Sequence, residues 1–220
     1  MSHVSRRTFI KTTGLGLAAA GASSASSYAS ILGANDRVRV AVVGFSDRAR
    51  SSLIPAFLQH ATAENFELVA VSDLWSLRRE QAMAHVEKLC GRRPDVVRNN
   101  DELYSRKDVD AVIIATADFQ HALHGVEAVR SGRDAYIEKP LANTMEDARA
   151  IRQAVKDTGR VVQIGTQRRS EPVYQRACEF IQSGRFGDIV SVEMTWNVNQ
   201  PGRWRRPALV EQLREADTDW

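Results

Sequence analysis

Cysteine is nearly absent: Cys90 and Cys178 are the only two in 220 residues, so at most one disulfide forms and a disulfide-dense scaffold is excluded. Both read as buried small apolar side chains. A basic surplus is also missing once its location is considered. The formal charge is +3, and Arg6, Arg7 and Lys11, with no acid among residues 1–29, account for all of it. The remainder is balanced at 27 acidic residues, which removes the charge-based argument for nucleic acid or an anionic membrane as partner. The cluster GRWRR at 202–206 reads as a solvated edge. No apolar run is long enough to span a bilayer, and no repeat or low-complexity tract occurs past residue 35. With 43% hydrophobic residues, the chain is long enough for one full domain, or for one domain and part of another, and the composition argues against the disordered class.

What is present begins with SRRTFIK and a short glycine- and alanine-rich stretch. Ser5, Arg6, Arg7, Phe9 and Lys11 resemble the twin-arginine export signal, with Ser27-Tyr28-Ala29 as the cleavage site. That pathway carries folded proteins, commonly with a cofactor inside, so the resemblance implies the twin-arginine machinery as a partner and a periplasmic or otherwise exported destination. Residues 1–29 are thus expected to be a signal peptide and residues 30–36, SILGAND, a linker.

From residue 37, apolar strands alternate with helical patterns. RVRVAVVGF, FELVAVSD, PDVVRN, DAVIIAT, DAYIE and RVVQIGT read as six strands. ARSSLIPAFLQHA, SLRREQAMAHVEKL, DFQHALHGVEAVRSG and TMEDARAIRQAVKDTG read as the helices between them. Near-continuous Val/Ile runs suit parallel strands buried on both faces, and the alternation predicts an α/β fold with a doubly wound parallel sheet over 37–167. Asn143 with Glu146 suggests a capping box, while Gly132 and Gly159 suit helix C-termini.

In such a sheet the first strand-to-helix turn is where a pyrophosphate meets helix amides. The turn holds Gly44, Phe45, Ser46, Arg48 and Ala49. Gly44 fits the first glycine of the dinucleotide fingerprint and Ala49 its small third position, but Ser46 stands where the second glycine belongs. Asp73 ends the second strand, where a carboxylate accepts both ribose hydroxyls and repels a 2′-phosphate. NAD is the expected cofactor over NADP, with Arg78 and Arg79 nearby on the other side of the balance.

The fifth strand, AYIE, runs into Lys139-Pro140 at the sheet's carboxyl edge. Gly44 with Ala49, Asp73, ATADFQHA at 115–122, EKP at 138–140 and GTQRR at 165–169 resemble the Gfo/Idh/MocA oxidoreductases in order and spacing. The departures are Ser46 for glycine and Ala117 for proline. The resemblance implies that Lys139 is catalytic, partly desolvated, and moves the proton of a substrate hydroxyl beside the nicotinamide. It implies that Glu138 steadies Lys139 or the nicotinamide side of the pocket, so that both belong to the cofactor site, that Thr116 and His121 line the nicotinamide side, and that Gln167 and Arg168 face substrate. His121, His124 and Glu127 share helical spacing, yet no metal site is expected.

Residues 168–220 resemble the entry into an α+β open-sheet domain: a helix, EPVYQRACEFIQSG, then a half-buried strand in RFGDIVSVEMTWNVN. The family's D-x-G-x-H motif does not occur, and no histidine follows residue 170. The expectation is a C-terminally truncated form of a longer enzyme, inactive alone, which forms homo-oligomers through the rest of that sheet. The implied activity is an exported NAD-dependent oxidoreductase acting on a sugar, cyclitol or similar polyol. The alternatives are an NAD-dependent glycosidase using transient redox and a non-catalytic ligand-binding or assembly protein.

Overall fold

The structure is a computed structural model that describes residues 37–197 and 206–219. The expected signal peptide, the 30–36 linker and residues 198–205 lie outside the described residues.

Six parallel strands form one sheet: β1 Val38–Val43, β2 Phe66–Ser72, β3 Asp95–Val97, β4 Ala111–Ile114, β5 Asp134–Ile137 and β6 Val162–Ile164. Their order is β3-β2-β1-β4-β5-β6. The chain winds outward from β1 in one direction and from β4 in the other, which opens a crevice at the carboxyl ends of these two strands. Side chains alternate across the sheet as the period of two requires. Ala41 and Val43 pack on one face with Leu103, Ala128 and Ile151, while Val40 and Val42 pack on the other with Phe45, Ile54 and Val86.

The connecting helices are α1 Ile54–Ala61, α2 Ser76–Cys90, α3 Asn100–Ser105, α4 His121–Arg130 and α5 Met145–Thr158. A π-helical turn, Ala49–Leu53, precedes α1. Such turns accommodate one extra residue and recur near functional loops. The short α3 has no counterpart in the sequence reading. Asn99 caps it, the side chain accepting from Glu102 N at 2.9 Å. The cap of α5 lies one residue beyond the expected pair: Thr144 accepts from Asp147 N. Gly159 closes that helix in the left-handed conformation, φ 64°. Gly132 follows α4 at φ 86°.

Beyond β6, α6 spans Pro172–Gln182 with every residue exposed. The half-buried strand expected over 185–199 does not form among its described residues. Val190 is 96% exposed and Trp196 87%. Among the described residues no strand lies beside it to satisfy its backbone, so the alternating pattern has no partner to fold against there. The chain then returns through α7, Pro207–Val210, and a 3-10 turn, Glu215–Asp217. Both cysteines are free and exposed, contrary to expectation: Cys90 ends α2 at the surface and Cys178 lies on the uncovered α6.

Candidate active site

The crevice at the β1/β4 switch point is a cleft of about 770 Å³. One wall is the β1 turn. Gly44 has φ +86° and its amide donates to Ser72 O at 2.8 Å. A Cβ built there would stand 2.7 Å from Thr116 Cγ2 and 3.1 Å from Thr116 N. Glycine is therefore required twice, by conformation and by the close approach of the β4 turn. Ser46 replaces glycine without strain, because its φ is not positive. Its hydroxyl oxygen accepts from Ala49 N at 3.2 Å, which caps the following turn and leaves the O–H to donate. Phe45 is buried and stacks edge-on with His85 at 5.7 Å.

Asp73 forms the corner. One carboxylate oxygen accepts from Phe45 N at 2.8 Å and the other from Trp75 N at 2.9 Å. It thus clamps the β1 turn to the end of β2, and it is not the cap of α2, which has no side-chain cap. Burial raises its pKa, opposed by these two amides and by Arg78 and Arg79. Thr116 lines the opposite wall, its hydroxyl 3.1 Å from His124 Nδ1. Burial lowers the His124 pKa, with Glu127 opposing. Ala117 adopts φ −69°, the angle a proline would fix, so this departure preserves the backbone.

The remaining candidates stand beside the cleft. Glu138 is buried and accepts from Arg48 Nε at 2.8 Å, while its second oxygen accepts from Lys139 N at 2.9 Å. Arg48 and Glu138 therefore tie the β1 turn to the EKP segment. With its amide turned so that the oxygen faces Arg48, Gln167 accepts from the same guanidinium at 2.9 Å. His121 does not reach the cleft wall as expected. It is buried behind it, where Nδ1 donates to Pro140 O at 2.7 Å and Nε2 lies 3.2 Å from Thr116 O. Lys139 is exposed, so the expected desolvation is absent. Arg168 turns toward α6, facing Glu171 at 3.5 Å and the Tyr174 ring. Ala49 is fully buried beneath the turn.

Several cleft residues carried no sequence signal. Asn100 joins Ser72 Oγ, at 3.1 Å, to Glu127, at 2.8 Å, along the floor. Trp75, Gln120, Leu209 and Asp219 also line the cleft. Among the described residues, no group of His, Cys, Asp and Glu is placed to hold a metal ion.

These features define a dinucleotide-type α/β domain. Gly44 lets the β4 turn close on the β1 turn, the Ser46 hydroxyl is left to donate there, and the Asp73 corner offers a ribose acceptor, so the cleft fits a nicotinamide dinucleotide. Residues 38–166 match the model of the oxidoreductase family with an NAD-binding Rossmann fold, Gfo/Idh/MocA. The chain belongs to that family. It is similar to a glycosyl hydrolase family 109 protein of Shewanella sp. strain W3-18-1, at 29% identity over 77% of this chain and 39% of that protein. It is also similar to scyllo-inositol 2-dehydrogenase (NAD(+)) of Bacillus subtilis strain 168, at 35% identity over 39% of this chain and 25% of that protein. Among solved structures, the WlbA dehydrogenase of Bordetella pertussis, in complex with NADH and UDP-GlcNAcA, has a TM-score of 0.59. Its identity is 26%, covering 69% of this chain and 43% of that one. The chain thus spans about two fifths of the length of such relatives.

Proposed function

We propose that this chain is the cofactor-binding part of an exported NAD-dependent oxidoreductase acting on a CH–OH group of a sugar, cyclitol or related polyol. The observation that carries the reading is the Asp73 corner beside the Gly44–Thr116 approach. A bound NAD would supply a hydride acceptor. Asp73 would accept the ribose hydroxyls, and the Ser46 hydroxyl would donate to phosphate. Lys139, at the carboxyl edge of β5, would take the proton of the substrate hydroxyl. Export rests on the arginine-pair motif at Arg6-Arg7.

Calorimetric titration with NAD, followed by a search for NADH formation across sugars and cyclitols, tests the reading. In an enzyme that carries this domain together with a complete substrate domain, Lys139→Met should keep NAD affinity and lower turnover of the responding polyol by about 10²- to 10⁴-fold. Absence of NAD binding would refute the cofactor assignment, and unchanged turnover would return Lys139 to a solvated strand end. A second reading is favoured by the broader coverage of the family 109 relatives: a glycosidase in which NAD is transiently reduced and then restored. Glycoside cleavage without net NADH would establish it.

A further inference from the structure

The segment Arg206–Asp219 returns across the mouth of the cleft at the Asp73 corner. Asp219 N donates to Leu74 O at 2.9 Å, and Thr218 forms an antiparallel bridge with Trp75. Arg206 reaches Asp47 at 2.8 Å, and Leu209 and Asp219 line the cleft itself. This strap places a second carboxylate next to the two arginines that follow β2. Arg79 pairs with Asp219 Oδ2 at 2.7 Å and donates to Asp73 O and Leu74 O at 2.8 and 3.1 Å. Its side chain is only 14% exposed. Arg78 lies over Trp75, donates to Gln81 at 3.1 Å and faces Asp47 at 3.7 Å.

We infer that Asp219 is a cofactor-selectivity residue: by holding Arg79 in an ion pair on the cleft rim, it withholds the guanidinium that would otherwise meet a 2′-phosphate. The inference rests on the proposed dinucleotide reading. Asp73 rejects a 2′-phosphate by direct repulsion, while Asp219 does so by occupying its natural partner. All three contacts fall on Arg79 Nη1, so what Asp219 withholds is the guanidinium's uncompensated positive charge, the part of it that a dianion would attract most strongly. Loss of the Asp219 charge leaves Arg79 between backbone carbonyls and solvent, within the corner where the 2′ position would lie.

The test is calorimetric titration of the full chain with NAD and with NADP. In Asp219→Asn the ratio of NADP to NAD dissociation constants should fall about tenfold, the worth of one charge-assisted phosphate contact. Arg79→Gln added to that variant should restore the wild-type ratio, and Asp219→Glu, which keeps the pair, should leave it unchanged. A packing role for the strap would instead weaken both cofactors together. An unchanged ratio in Asp219→Asn, or a parallel loss of both affinities, overturns the inference. Failure of the wild-type chain to bind either dinucleotide would overturn the underlying reading instead, so the two failures are distinguishable.

Discussion

Removing the guanidinium from Arg48 should expose how the β1 turn and the EKP segment depend on each other. Glu138 has a side chain 4% exposed, and Arg48 is its ion-pair partner at 2.8 Å. Breaking a fully buried pair from one side costs about 3–5 kcal/mol, because a charge is left without compensation. Arg48 is 39% exposed, so water already screens that side and enters readily when it is cut back. A loss of about 2–3 kcal/mol is therefore expected for Arg48→Met. For a folded unit of this size that corresponds to about 4–12 °C in Tm. The double variant Arg48→Met with Glu138→Gln should recover most of the loss. A carboxamide carries no charge to strand, and its oxygen still accepts from Lys139 N. Urea and thermal unfolding followed by circular dichroism measure both variants, and amide hydrogen exchange at Lys139 reports the local tie. The reasoning fails if Arg48→Met unfolds within about 0.5 kcal/mol of wild type, or if the double variant is no more stable than the single one.

Two further predictions concern the cleft. Gly44→Ala should destabilise the fold by about 1–3 kcal/mol and weaken NAD binding, since it combines a left-handed φ with the Thr116 clash. Adding Thr116→Ser removes the clashing methyl but not the tight approach of the Thr116 backbone, and should return only part of the loss; full recovery in unfolding titrations would show that φ is not the constraint. Asp73 has its pKa raised from an ordinary 3.8 by burial, so the folded state holds this proton more tightly than the unfolded chain does. Its contribution to stability is then complete below the ordinary value and lost as pH rises through the raised folded value. The stability of Asp73→Asn relative to wild type should therefore grow from acid toward neutral pH, while the wild type gains NAD affinity over the same window as the carboxylate ionises. Urea midpoints that stay parallel across that range would rule this out.

The sheet was legible because its strands are apolar on both faces, a pattern that turn chemistry cannot imitate over six segments. Gly44, Asp73 and Thr116 were legible because they occupy strand ends, where the fold leaves little freedom. Contacts between distant segments were not. Arg48 and Glu138 lie 90 residues apart, and nothing local marks them as partners. The same holds for Asp219 on Leu74 and Arg79. The resemblance set His121 on the nicotinamide side, whereas its ring turns to the Pro140 carbonyl, 19 residues on, a contact that no local pattern marks. The alternation over 189–194 was a true strand pattern by composition, but a pattern becomes a strand only when a neighbour accepts its backbone groups. The α3 helix was missed because its first turn, NDEL, has the composition of a loop, and its order comes from Asn99 and from burial of Leu103.

The sequence also suggests that the costly charge at the end of β5 belongs to Lys139, and the structure moves that cost one residue back. Lys139 is exposed, while Glu138 beside it is buried. What distinguishes Lys139 is the fixing of its backbone. Its amide is held by Glu138, which Arg48 holds in turn, and the following residue's carbonyl is held by His121 from α4. The main chain at Lys139 is thus tied to the β1 turn on one side and to the Thr116 end of β4 on the other, the two walls that meet at the cleft. The lysine stem remains free to reach. Proton transfer depends on arrival of the amine at a defined point, and a rigid root with a flexible stem supplies that without burying the amine in advance. The desolvation expected of a catalytic lysine would then come from a bound substrate closing over it, so an exposed Lys139 is compatible with the role, whereas an unanchored one would not be.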